Sequence, residues 1–142
     1  MLQIQFFLPL ACLLAFAAGR VAAAPATGRL VVNIVEAQTS KPVACNVYLT
    51  ANGKAIFAPN CPRWERDGSF ACDGRFAVEA PAEKIEMTVE RGPEWESCAL
   101  TLECEAGTTK TFTVALTRWI DMNARGWFSG DLHVHRPVED MP

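Results

Sequence analysis

From Gly28 onward, apolar and polar residues alternate with a period of two, the mark of strands that turn one face to a core and the other to water. Leu30, Val32 and Ile34 share one face of a first segment, and Val43, Cys45, Val47 and Leu49 share one face of a second. Ser40-Lys41-Pro42 between them is turn chemistry. Phe76, Val78 and Ala80 give a third apolar face. The alternation is cleanest where Ile85, Met87 and Val89 interleave with Lys84, Glu86, Thr88 and Glu90. Cys98, Leu100, Leu102 and Cys104 then point one way with Thr101 and Glu103 opposite, and after Ala106-Gly107 the series Phe112, Val114, Leu116 completes the set. Helical periodicity is nearly absent. About seven short strands with turn signals between them predict a mainly β domain built as an antiparallel sandwich.

The N-terminal stretch has another character. Phe6 to Ala18 is almost wholly apolar and continues through Gly19 and Arg20 to Ala22-Ala23-Ala24. This run is shorter than the roughly 20 residues a bilayer helix needs, and Ala22-x-Ala24 offers the small side chains a signal peptidase accepts. Residues 1–24 are therefore read as a signal peptide cleaved after Ala24, leaving no stable membrane span and directing the protein to the periplasm, the cell envelope or the medium. The sandwich then occupies 25–118, and 119–142 form a linker and one further strand. A chain of 142 residues accommodates one ordinary domain with a short extra, and no second complete enzyme domain. The net charge is −3 and the Lys and Arg residues are scattered rather than gathered into a stripe, so no nucleic-acid partner is expected. Nothing in the pattern fixes an oligomeric state.

With Cys12 inside the leader, Cys45, Cys61, Cys72, Cys98 and Cys104 remain, an odd set that in an oxidising compartment pairs with one thiol left over. The absence of a Cys-x-x-Cys pair argues against a zinc ribbon or a thioredoxin-like site. Cys45, Cys98 and Cys104 fall on expected inward faces, so a bridge from Cys45 to Cys98 or Cys104 would tie strands together. Cys61 and Cys72 flank the polar stretch 62–71, where a bridge would close a small loop. The plain structural reading of these cysteines is buried small side chains with one or two disulfides.

Three local features, Gly28-Arg29-Leu30 opening a strand, then Lys41-Pro42-Val43, then Asp73-Gly74-Arg75-Phe76, give residues 28–117 a resemblance to the carboxypeptidase-regulatory-like, transthyretin-type domains, which are Ig-like sandwiches. Such domains serve as spacers or binding modules, so the resemblance implies architecture and no activity.

Both histidines of the chain lie in Gly126-Trp127-Phe128-Ser129-Gly130-Asp131-Leu132-His133-Val134-His135. On an extended strand, residues i and i+2 project to the same side, so His133 and His135 can grip one ion while Leu132 and Val134 turn into apolar packing. Neutral imidazole suits zinc and its neighbours. Asp131, on the same side, fits a supporting carboxylate or a further ligand. A bare His-x-His is by itself more often a surface or packed pair. The longer string Gly-Trp-Phe-Ser-Gly-Asp-Leu-His-Val-His-Arg-Pro, however, resembles the first metal motif of PHP-superfamily hydrolases, and more narrowly that of the CehA/McbA family, whose members often carry a leading β-sandwich. Arg91-Gly92-Pro93-Glu94 is similar to an element of those leading domains, and its plainer reading is a turn.

The resemblance implies that the chain is the N-terminal part of a truncated hydrolase, with 119–142 leading into the first strand of a PHP-type β/α barrel. His133 and His135 would be metal ligands and Asp131 a supporting group. Arg136 would either reach an anionic substrate group or, more ordinarily, pair with Glu139 or Asp140. Trp127 and Phe128 would pack where sandwich meets barrel. The cofactor expected is a divalent metal, zinc first, with manganese or iron as alternatives. The substrate would be a small molecule bearing an ester, amide, carbamate or phosphoester bond. Further ligands and the catalytic groups would lie downstream, so the fragment alone is expected to be inactive. The rival readings are an exported, non-enzymatic binding module and a disulfide-stabilised cell-surface protein.

Overall fold

The computed structural model describes residues 26–130. Residues 1–24, read as a signal peptide, and the residues Asp131, His133, His135 and Arg136 lie outside them. Nine strands run in chain order: β1 (Thr27–Glu36), β2 (Cys45–Ala51), β3 (Lys54–Ala55), β4 (Arg63–Trp64), β5 (Ser69–Cys72), β6 (Arg75–Pro81), β7 (Lys84–Glu90), β8 (Cys98–Glu103) and β9 (Thr109–Leu116), followed by one 3-10 turn at Asn123–Arg125. They form two sheets. The smaller has the order β6-β1-β9, and the larger has β4-β5-β2-β7-β8 with β3 paired to β2.

The apolar faces read from the sequence meet between these sheets. Leu30, Val32 and Ile34 of β1, with Val78, Val114 and Leu116 beside them, join Val47, Leu49, Ile85, Met87 and Val89 of the larger sheet in one core. Phe70 and Phe76 touch across the two layers edge-to-face, with centroids 5.0 Å apart, a geometry aromatic quadrupoles favour. At the edge strand β8, the alternation fades: Leu102 is buried, but Cys98 and Leu100 are only half-buried. The architecture is thus a β-sandwich, as the period-two pattern predicts.

Two expectations need correction. The sandwich is not wholly antiparallel, because β1 and β9 run parallel in the register Arg29↔Thr109 to Glu36↔Leu116. Strand β8 belongs to the larger sheet, and the chain changes layer through residues 104–108, so β9 arrives beside β1 without a hairpin to impose antiparallel order. Period-two patterning reports which face is buried and is silent on a neighbour's direction. The strand count is also nine rather than about seven. Strands β3 and β4 are two residues long, and β5 lies partly in the stretch 62–71 read as polar loop. Gly68, at φ 79°, closes the β4–β5 turn, with its N–H donating to the Trp64 carbonyl at 3.0 Å. Asp67 Oδ1 then accepts from the Ser69 amide at 2.9 Å and hydroxyl at 2.7 Å, which lets Ser69 sit fully buried.

The glycines and proline singled out in the sequence mark places where backbones approach closely. A Cβ on Gly74 would lie 2.8 Å from Pro42 Cβ and from Val43 N, and its φ is +87°. Ile34 N–H donates to the Gly74 carbonyl at 2.7 Å, and Val43 N–H donates to the Ile34 carbonyl at 3.1 Å. The Lys41-Pro42-Val43 and Asp73-Gly74 segments therefore converge on β1. At its other end, a Cβ on Gly28 would come within 2.2 Å of the Glu105 carbonyl oxygen.

Candidate functional site

Features with chemistry gather at the end of the sandwich where β2 begins and β5 and β7 finish. An open groove of about 1060 Å³ lies there, with Cys45, Cys61, Cys72, Arg75, Arg91 and Trp95 among the residues that line it.

Its floor is sulfur. Cys45 and Cys72 are directly opposed in the antiparallel β2–β5 register, and their Sγ atoms are 3.7 Å apart. Cys61 lines the same groove, half-buried. The hydrogen bond from Cys45 favours an anion on the Cys72 sulfur and lowers its pKa from 9.0 to about 7, with help from the Gly74 and Arg75 amides against burial and Asp73. Cys45 moves the other way, because its proton is held in that hydrogen bond and because it is buried; Arg91 partly opposes this rise. Burial also raises Cys61. The strand register bears on the expected pairings of Cys45. Cys45 faces Cys72, not Cys98 or Cys104, because strand register and not inwardness alone decides which residues meet. Cys98 sits opposite Val89 at the β7–β8 edge, and the Cys104 thiol donates to the Ala80 carbonyl at 3.5 Å. No disulfide is present among the described residues, where all five cysteines are free thiols.

One wall of the groove is a clamp between the β7–β8 loop and the segment that leaves β9. Arg91 lies over the Trp95 ring, 5.0 Å from its centroid, and Arg118 lies 5.8 Å from the same ring, both within cation–π reach. Arg91 also donates to the Ala44 carbonyl. Arg118 is bound by Glu94, through Nε at 3.1 Å, and by Asp121 at 2.6 Å. Glu94, as the nearest acceptor, raises the Arg118 pKa. Main-chain bonds close the clamp: Glu96 N–H donates to Thr117 O at 3.0 Å and Trp119 N–H donates to Glu94 O at 3.1 Å. The Trp119 indole donates to Pro93 O at 2.9 Å. Arg91-Gly92-Pro93-Glu94 thus does more than turn the chain, since it fixes the course of residues 117–119. Trp95 and Arg118 carry much of this and were not singled out in the sequence, because contacts such as that of Arg118 with Glu94, 24 residues apart, leave no local pattern.

Beyond the clamp, a second, apolar groove of about 380 Å³ runs along Pro93, Trp119, Ile120, Met122, Trp127 and Phe128. Trp119, Trp127 and Phe128 are 61%, 67% and 82% exposed. Trp127 and Phe128 stand four and three residues before Asp131 in the sequence. Among the described residues, no three His, Cys, Asp or Glu side chains are grouped to hold a metal ion. No helix of the described residues is long and apolar enough to cross a membrane.

No model of a known family matches the chain, and no curated protein matches it. Among solved structures, the minor pilin GBS52 of the gram-positive pathogen Streptococcus agalactiae is similar over 78% of this chain and 49% of the pilin, at 16% identity and a TM-score of 0.48. The chain therefore spans about half the length of that protein. At this level the likeness assigns no role to any residue.

Proposed function

We propose that the chain is the N-terminal portion of an exported, metal-dependent hydrolase of the PHP type, close to the CehA/McbA family, in which a transthyretin-type sandwich leads a catalytic domain. One observation carries the reading: both histidines of the chain fall at i and i+2 in Asp131-Leu132-His133-Val134-His135, directly after the exposed Trp127 and Phe128. The donor set, two imidazoles and a carboxylate, suits zinc, with manganese or iron as alternatives. Held by His133 and His135, such an ion would supply an activated water for cleaving an ester, amide, carbamate or phosphoester bond. Asp131 would orient an imidazole, and Arg136 would meet an anionic substrate group or an acidic neighbour. The clamp around Trp95 holds residues 117–119, the start of the segment that precedes this motif in the sequence. The exposed aromatics fit a boundary covered by a following domain, since apolar patches of this kind mark contact surfaces.

The open, polar groove favours a second reading, a non-enzymatic exported binding or cell-surface module. The two separate in the intact, uninterrupted gene product assayed against panels of esters, amides, carbamates and phosphoesters. The hydrolase reading predicts turnover of one class that falls about tenfold or more in a His133→Ala, His135→Ala variant. Turnover indifferent to both substitutions, or none with any class, favours the module.

A further inference from the structure

We propose that Cys45 and Cys72 are a redox pair that closes a cross-strand disulfide between β2 and β5 at the floor of the groove. Residues directly opposed on antiparallel strands have Cα atoms about 4.5 or 5.5 Å apart, and a disulfide accepts Cα separations of about 4.4 to 6.8 Å. The register Cys45↔Cys72 therefore meets the backbone requirement without moving either strand. The sulfurs already face each other at 3.7 Å, so side-chain rotation alone has to bring them to a bonding distance of about 2.0 Å. No other two cysteines among the described residues are placed this way. Cys104 is engaged by Ala80 at the opposite end of the core, and Cys98 is paired with Val89.

The groove gives a reagent access to a pair that is otherwise buried. The oxidant is a disulfide, either a low-molecular-weight one or that of a protein dithiol oxidase. Cys72, as the thiolate, attacks one sulfur of the reagent, forming a mixed disulfide and expelling one thiolate. Cys45 then passes its proton to that thiolate and attacks the Cys72 sulfur, expelling the second half of the reagent. The two cysteines lose two electrons in all and one disulfide is reduced to a thiol and a thiolate, the latter taking from water the proton that Cys72 gave up on ionising. The Gly74 and Arg75 amides favour the attacking anion, while Asp73 opposes it and Arg91 acts on Cys45. This inference is independent of the hydrolase reading, because it uses neither histidine.

The full chain tests it. Protein incubated with oxidised glutathione near neutral pH is quenched by alkylation, digested with trypsin and mapped by mass spectrometry. Trypsin separates the cysteines of the full chain into peptides 1–20 with Cys12, 30–54 with Cys45, 55–63 with Cys61, 67–75 with Cys72, and 92–110 with Cys98 and Cys104. The expected product is peptide 30–54 joined to 67–75 with two hydrogens lost, released by a reductant and retained in Cys61→Ser. Complete alkylation of both peptides overturns the proposal, and so does a dominant link from either to 55–63 or 92–110. Since the wild-type map decides the matter, a Cys45→Ser or Cys72→Ser chain that folds poorly does not weaken the test.

Discussion

Gly74 combines a left-handed backbone, φ +87°, with neighbours 2.8 Å from any Cβ placed there. Either condition penalises a side chain, and together they act on the junction that holds β1, Pro42 and β6. Gly74→Ala is predicted to lower stability by about 1–3 kcal/mol in urea unfolding; an unchanged midpoint would show that the junction relaxes freely. Two residues earlier, Cys72 ionises at about 7 rather than 9.0. Between those values the folded chain has released a proton that the unfolded chain keeps, so stability rises as pH rises through the window and is lost as pH falls back through 7. Above 9.0 the sign reverses, because Cys45 stays protonated where unfolded thiols ionise. Under reducing conditions, the urea midpoint of the wild type relative to Cys45→Ser, Cys72→Ser is therefore predicted to climb from pH 7 to 9 and decline beyond. A difference flat in pH contradicts this.

At the scale of elements, strands with strong alternation were legible and short ones were not. In β1, β2, β6 and β7 every expected inward residue is buried. Strand β5 was missed because four residues carry one large apolar side chain, Phe70, and no period can be read from so few positions. Register was also invisible. Inwardness placed Cys45 on a core face correctly, but its partner depends on which strands lie side by side, a long-range property. The parallel β1–β9 pair was hidden for the same reason. The clamp is the clearest case: Arg91-Gly92-Pro93-Glu94 could be seen as a unit, yet Trp95 and Arg118 acquire their roles only when the β7–β8 loop and the exit from β9 meet. Trp95→Ala is predicted to leave the core standing while releasing the segment after β9. Limited trypsinolysis would then cut at Arg118 and Arg125 about tenfold faster or more, which corresponds to losing roughly 1.4 kcal/mol or more of local stability. Equal cleavage rates would mean that the two arginines over the ring contribute nothing to the hold.

At the scale of the whole molecule, the sandwich and the histidine motif stand in different positions. The sandwich follows from alternation and is present in two layers with one core. Asp131, His133 and His135 were legible as donor chemistry; a metal site built on them would need a third and further ligand from elsewhere in the protein, which no local pattern supplies. The link between them is a course of chain: the clamp fixes residues 117–119, and Trp127 and Phe128 then lie exposed just ahead of the motif. Metal content of the intact gene product, purified without chelators and measured by inductively coupled plasma mass spectrometry, tests this most directly. Zinc, manganese or iron is expected at one or more ions per chain, reduced about tenfold or more by His133→Ala, His135→Ala. A protein free of transition metal as isolated, and unaltered by chelators, would contradict it.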